Sequence, residues 1–402
     1  MLSPENQKSG PLAGIRVVDL TRVLSGPFCT MMLGDMGAEV IKIERPNSGD
    51  DTRAFAPPYQ GKESAYFLTV NRNKKSVTLD LKHDAAKEAL WRLVEGADVL
   101  VENFRPSAAA RLGFSYDDVA ARNSGLIYGS ISGFDDTGPE AARPGYDLIV
   151  QGESGMMHIT GDPHGPPTKM GTSIADMVAG MMLSQGILAA LHARSATGKG
   201  QHVKVSMLEA LASLLTYQAG NYYATGASPQ RRGNAHPSIV PYETIQAADG
   251  WLNVAVANDS LWGKFCDAID KPDWKENPRF AAAPDRVRNR DELMPLLTEV
   301  LKTKDRAHWI AAMGSHGVPC GAIAKVDEIC ESETLKARGM IWEMDHPTAG
   351  KVRTIGNPIV FTDTALGEPV PPPRLGEHTE AVLSDAGYGL EEIAEMKGNA
   401  VF

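Results

Sequence analysis

The chain has 402 residues, 43% hydrophobic and 22% charged, with a net charge of −10. That length predicts two to three domains and enough apolar surface for a large core, and the acidity argues against a nucleic-acid partner, because phosphate backbones are held by basic faces. The apolar runs stop short of the roughly 18 uncharged residues of a membrane span, and the opening MLSPENQKSG has no apolar signal core, so a soluble, cytoplasmic protein with no membrane partner is expected.

In chain order, IRVVDL at 15–20 reads as a buried strand, the stretch after Pro27 as a helix and AEVIKIE at 38–44 as the next strand. This βαβ unit would place the loop TRVLSG at the carboxyl end of its first strand, where open α/β sheets bind ligands. SVTLDL at 76–81, a helix around 85–96, ADVLVENF at 97–104 and LIYGSISGF at 126–134 continue the alternation. The first loop lacks G-x-G-x-x-G, so a nicotinamide cofactor loses its main support. Further on, QHVKVSML reads as a strand and EALASLLTYQAGNYY as a helix, and the polar run at 224–241 breaks the composition. YETIQAADGWLNVAVA then reads as a hairpin turning at Asp249-Gly250, followed by helices in LWGKFCDAI and RDELMPLLTEVLKT. The tail holds VRTIGNPIVF and a proline run, VPPPRLGEHTEAVL, whose extended geometry suits a segment wrapping over a surface. The expected organisation is a doubly wound, Rossmann-like α/β domain over 1–223, a smaller α+β domain over 224–328 and a segment, 329–402, returning to the first.

GTSIADMVAG at 171–180 opens a strongly apolar helix running to Ala193. Ser173 and Asp176 have the S-x-x-D spacing of a capping box, which would turn the acid back onto the helix's free N–H groups. The same position suits a nucleophile: the positive helix end keeps the carboxylate ionised, and apolar neighbours strip it of water. Local pattern leaves both readings open.

Other candidates are weaker one by one. Arg22, Arg45, Lys74, Lys75, Lys82, Arg105, Arg111 and Arg143 fall in predicted loops, with Arg22 and Arg45 at the ends of adjacent strands, and together they suggest an anion site. Cys29, Cys266, Cys320 and Cys330 form no C-x-x-C pair, and the histidines follow no ligand spacing, so no metal site is expected. His236 lies in a loop and could line a site. No G-x-S-x-G elbow occurs, which disfavours serine hydrolysis.

Taken together, PLAGIRVVDLTRVLSGPF, LGDMGAEVIKIERPNSGDDTR, NRNKKSVTLDLK, DVLVENFRPSAAARLG, GYDLIVQGESGMMHITG, TSIADMVAG, TGKGQHVKVSMLEA, GVPCGAI and LGEHTEAVL resemble, in order and end to end, the class III or CaiB/BaiF CoA-transferases, the family of formyl-CoA, carnitine and bile-acid CoA-transferases. NRNKKSV, SGMMHITG and GNAHPSIVPYETI look most like the branch that exchanges CoA between succinate, glutarate and related diacids. The resemblance implies that Asp176 is the nucleophile, passing through aspartyl-acyl anhydrides and an aspartyl-CoA thioester. It also implies that Arg22, Val23, Ser25, Arg45, Leu79, Lys82, Asn103, Phe104, Arg111 and Arg143 contact CoA. Leu24, Tyr146 and His236 are candidates for the substrate pocket. Leu24 stands where formyl-CoA transferase has a catalytic glutamine, and that enzyme's glycine-only loop has no counterpart here, so formyl or oxalate specificity is not implied.

The family implies a homodimer of interlinked rings, a CoA thioester as substrate and no permanently bound cofactor. Two rival readings follow from the same motifs. An α-methylacyl-CoA racemase would shuttle a proton with an aspartate and a histidine, but the family's GHD is here Gly145-Tyr146-Asp147, and a phenol of pKa near 10 is a poor base at neutrality. A noncatalytic CoA-binding protein would use Asp176 only as a cap.

Overall fold

A computed structural model describes residues 9–105, 107–135, 137, 140–141 and 143–402. The chain divides into two compact units. One comprises the chain through Met156 together with Met170–Ala219 and Glu333–Phe402; the other comprises Met157–Lys169 and Gly220–Ser332. The sequence reading placed one boundary at 223/224; the division instead falls at 219/220 and also assigns the Gly-rich stretch 157–169 to the smaller unit.

The larger unit is built on β1 (Arg16–Asp19), α1 (Ser25–Asp35), β2 (Glu39–Glu44), β3 (Lys74–Thr78), α2 (Asp84–Glu95), β4 (Val99–Glu102), β5 (Ile127–Ser132), α3 (Asp147–Glu153), α4 (Ile174–Thr197), β6 (Gln201–Ser206) and α5 (Met207–Ala212). Among the described residues, six strands pair in parallel in the order β3-β2-β1-β4-β5-β6. The order reverses between β1 and β4, so the loops leaving those two strands part to opposite sides and open a crevice at their carboxyl ends.

Strand side chains alternate between the two faces, and both faces are buried. Val18, Ile41 and Leu100 pack with Ala86, Leu90 and Leu93 of α2, whereas Val17, Val40, Val99 and Val101 pack with Leu33 of α1 and with Val178, Leu183 and Ile187 of α4. By length and composition alone α4 could cross a membrane, but Ala175, Val178, Ala179, Leu183, Ile187 and Ala190 belong to this core cluster. Its apolarity is that of a helix laid across a sheet.

The smaller unit has its own core. β7 (Tyr242–Ala247) and β8 (Gly250–Ala255) form the hairpin read from the sequence, and β9 (Cys320–Ala322) adds to the other side of β8. Ile245, Leu252 and Val254 pack on Trp262 and Phe265 of the helix Asp259–Ala268 and on Leu293 and Leu297 of Arg290–Leu301.

The C-terminal stretch returns to the larger unit. Part of what reads as irregular tail is a hairpin, β10 (Ile341–His346) with β11 (Gly350–Ile355). Between this hairpin and two closing helices, Thr379–Asp385 and Leu390–Gly398, whose Val382, Leu383, Ile393 and Met396 join the core, the chain has little regular structure and fastens to existing polar groups. Asn73 and Val370 exchange backbone and side-chain hydrogen bonds, Arg53 donates to Pro373 O (3.1 Å), and Gly376 N–H donates to Ser76 Oγ (2.9 Å). These contacts cover the outer edge of β3, which would otherwise present unpaired strand groups.

Candidate functional site

The site starts at the reversal point of the sheet. Asn103, one residue beyond β4, accepts the Arg22 N–H (2.8 Å) and donates to the Arg22 carbonyl (2.7 Å), so one amide side chain ties together the loops leaving β1 and β4. The Val23 N–H points the other way, to Asp50 Oδ1 (3.2 Å). Held from both sides, Val23 has φ +68°, a left-handed conformation costly for a β-branched residue. Beneath the loop, Lys42 pairs with Asp50 (2.8 Å), both side chains fully buried, and donates to the Thr21 carbonyl (2.8 Å). Burial alone would push Lys42 toward neutrality, but Asp19 and Asp50 hold its pKa above the usual lysine value.

A cavity of about 420 Å³ opens against this loop. Arg22, Arg45, Leu79, Lys82 and Phe104 line it, as does the turn Pro46-Asn47-Ser48-Gly49. Asp51 bridges the two arginines, 3.3 Å from Arg22 Nη1 and 2.6 Å from Arg45 Nη2, which fixes both guanidinium groups. Phe104 is held by its own N–H, which donates to the buried Glu102 (2.7 Å). The combination of clamped cations with Leu79 and Phe104 suits a phosphorylated molecule carrying a flat ring.

A second cavity, about 160 Å³, shares Arg22 and Phe104 with the first. Val23, Ser25, Asn103, Arg143, Tyr146 and Asp176 line it. Asp176 therefore faces a pocket, and the capping box expected with Ser173 is not formed: the Ser173 side chain makes no cap hydrogen bond. The helix mouth is served from elsewhere. Asp147 Oδ1 accepts the Ala175 N–H (2.9 Å) and Oδ2 accepts Gln151 Nε2 (2.7 Å), while Gln151 Oε1 accepts the Met170 N–H (2.9 Å). With the cap supplied by another acid, Asp176 is free to turn outward.

Its electrostatics differ from the ionised carboxylate expected at a positive helix end. Burial pushes Asp176 up to about 7, the nearby Asp147 adds to the rise, and the Ser25 hydroxyl, hydrogen-bonded to it, offsets only part. The same two acids act on Tyr66: burial first, then Asp176 and Asp147, drives that phenol up to about 12. Desolvation is the largest of these causes. The outcome is a carboxyl group that exchanges its proton near neutrality, a property concentrated at functional sites.

Most of the sequence-derived residues converge on the two cavities, and a few do not. Leu24 is buried beneath the loop and lines neither. Arg111 is exposed, its guanidinium donating to Ser107 Oγ (2.6 Å), while its neighbour Leu112 lines the larger cavity. His236 belongs to the smaller unit, where its Nδ1 accepts the Ser238 N–H (3.1 Å). Lys74 and Lys75 are not loop residues. Lys74 is buried in β3 against Asp19 (3.1 Å), and Lys75 pairs with Glu39 (2.6 Å), so neither belongs to an anion site. Reasoning from the sequence missed Asp147, Gln151, Asp50, Asp51 and Lys42. Asp50-Asp51, set between two predicted strands, was the one local signal available.

An open parallel sheet with paired cavities at its reversal point and a proton-exchanging acid at a helix mouth defines a doubly wound α/β enzyme. Residues 12–379 match the family model described as CoA-transferase family III, and the chain belongs to that family. It is 38% identical over 387 residues to succinyl-CoA:glutarate CoA-transferase of Homo sapiens, covering 96% of this chain and 88% of that one. It is 43% identical over 351 residues to acetyl-CoA:oxalate CoA-transferase of Acetobacter aceti, covering 87% and 89%. The crystal structure of a CAIB/BAIF family protein from Brucella suis has the same fold, with a TM-score of 0.84 at 39% identity over 94% of this chain and 100% of that one.

Proposed function

We propose that this CoA-transferase moves CoA from a short dicarboxylyl-CoA, of the succinyl type, to a free carboxylate, with Asp176 as the covalent nucleophile. The observation that carries the reading is that Asp176 lines the smaller cavity while Asp147 relieves it of capping. The larger cavity would take the nucleotide end of CoA through Arg22, Arg45 and Lys82, with Leu79 and Phe104 against the adenine. A CoA thioester is then a substrate, and the chemistry needs no resident cofactor.

In the first step Asp176 Oδ attacks the thioester carbonyl, the C–S bond breaks, and CoA thiolate leaves an aspartyl-acyl anhydride. The thiolate attacks the aspartyl carbonyl of that anhydride, which frees the donor acid and forms an aspartyl-CoA thioester. The acceptor carboxylate attacks this thioester, again expelling thiolate and forming a second anhydride. Attack of the thiolate on the acceptor's acyl carbon releases the new acyl-CoA and regenerates the Asp176 carboxylate. Division into anhydride and thioester steps conserves the energy of the original bond. The start of α1, at Ser25 just beyond the clamped Val23, is a positive helix end suited to the negative charge that would develop on the thioester oxygen.

The diacid preference is supported by the two relatives, named for different donors and acceptors that each include a dicarboxylic acid. A cavity of about 160 Å³ also suits a short acyl group, being well below the roughly 300–1,000 Å³ of sites for drug-sized ligands. The homodimeric state and cytoplasmic location implied by the family belong to the same proposal.

Wild-type protein incubated with succinyl-CoA and a panel of acids should yield new thioesters by mass spectrometry, with no deuterium uptake at the α-carbon of a 2-methylacyl-CoA in heavy water. Asp176→Asn and Asp176→Ala should lower exchange by about 10³-fold or more and lose the CoA adduct on the peptide containing residue 176. Near wild-type turnover in either variant would remove Asp176 from the mechanism, and rapid α-exchange would favour the racemase.

A further inference from the structure

We propose that Arg105 holds the remote carboxylate of a dicarboxylic substrate and sets the enzyme's preference for diacids over monoacids. The proposal rests on the transferase reading above and extends it to the origin of substrate choice.

Three arginines line the cavity that contains Asp176: Arg22, Arg105 and Arg143. Two already have carboxylate partners. Arg22 shares Asp51 with Arg45, and Arg143 is bracketed by Glu140 (2.5 Å) and Glu153 (2.6 Å), so its surroundings carry an excess of negative charge. Among the described residues, the Arg105 guanidinium has no hydrogen bond or ion pair.

Its main chain is nevertheless fixed, because the Arg105 carbonyl accepts the Ala108 N–H (3.0 Å) and the preceding Phe104 N–H is held by Glu102. The cavity wall also carries Asp51, Asp135 and Asp176, which would repel a second substrate carboxylate lying beside them. Such a group needs a cation with free donors. A guanidinium offers two parallel N–H groups matched to a carboxylate, an arrangement a monoacid cannot use.

The test compares two matched reactions: succinyl-CoA with glutarate, and butyryl-CoA with pentanoate. Wild type should favour the diacid pair. Arg105→Gln should lower kcat/KM for glutarate by about 10–100-fold, leave the pentanoate reaction within about 3-fold, and leave inhibition by free CoA unchanged. Arg105→Lys, which keeps the charge but not the fork, should retain part of the diacid preference. Equal losses with both acids, an unchanged preference, or weakened inhibition by CoA alone would each overturn the assignment, the last by giving Arg105 to CoA. Wild-type protein inactive on every acid would instead remove the transferase reading on which the assignment rests.

Discussion

On the proposed mechanism, Asp176 occupies a position at which folding and chemistry conflict. In the unfolded chain it titrates near 3.8, whereas burial in the folded protein pushes it up to about 7. A raised carboxyl pKa means that the folded state holds the proton more tightly. Stability is therefore unaffected below about pH 4, falls as the pH rises between the two values, and carries the full cost above 7. Replacement by asparagine removes that cost. Asp176→Asn is expected to raise the melting temperature by a few degrees at pH 8 and to leave it unchanged at pH 4, a pattern that calorimetry at the two pH values checks. On the proposed mechanism, in which only the carboxylate attacks, wild-type kcat/KM for the acyl-CoA should rise with pH through about 7 on its acidic limb. A rate limb centred near 4 would show that the carboxyl is not desolvated in the working enzyme.

Asp19, buried in β1, is resolved in the opposite direction. Burial works against ionisation of Asp19, yet Lys74 and Lys42, with hydrogen bonds from Thr21 and Thr30, hold it down at about 2. Burial in turn pulls Lys74 down to about 8. The motif NRNKK advertises its lysines as surface cations; only pairing of β2 with β3, and the depth of Asp19 at the end of β1, shows that Lys74 is a structural counter-ion.

At the scale of elements, the direction of Asp176 depends on how closely α4 approaches α1. Gly180 lies one turn after Asp176 and on the same face. A Cβ there would come within 2.5 Å of the Ser25 carbonyl oxygen. Alanine ordinarily stabilises a helix interior by about 1 kcal/mol relative to glycine, but here the helix would have to move away from the loop that carries Val23 and Ser25. Gly180→Ala is expected to cost about 1–3 kcal/mol and to lower kcat by about 10-fold or more through misplacement of the carboxylate. Thermal unfolding and steady-state kinetics measure the two effects, and an unperturbed kcat would mean that the α1–α4 spacing does not set the site.

The elements themselves were largely legible. The apolar runs at IRVVDL and AEVIKIE, the helix read after Pro27, which begins two residues before it at Ser25, and the hairpin at Asp249-Gly250 all depend on neighbours in sequence, so local pattern suffices. The capping of α4 was not legible, since the acid that caps it, Asp147, is 28 residues from Ala175. Nor was β10–β11, because VRTIG is a short strand whose partner lies across a turn, in a region otherwise read as irregular.

At the scale of the whole molecule, the net charge of −10 keeps copies apart unless apolar surface draws them together. On the single chain, Tyr146 is 66% exposed, and Leu148 and Ile149 are 54% and 43% exposed, all beside the site. Neighbouring apolar side chains left in solvent mark an interaction surface. Sedimentation equilibrium should therefore return twice the chain's 43.2 kDa; a single-chain mass across the micromolar range would remove the homodimer from the proposal.

What the sequence determined by itself is the repertoire: parallel strands from apolar runs, the ligand loop TRVLSG, the family from its ordered motifs, and Asp176 as the acid to watch. Those features are local, or are repeated often enough along the chain to be read in order. Tertiary structure decided which charges are available. It buried Lys42 and Lys74, tied Arg22 and Arg45 to Asp51, supplied the cap of α4 from Asp147 and left Asp176 facing a cavity. Each outcome depends on a partner brought near only by the reversal of strand order or by helix packing, and on desolvation, which no single segment specifies.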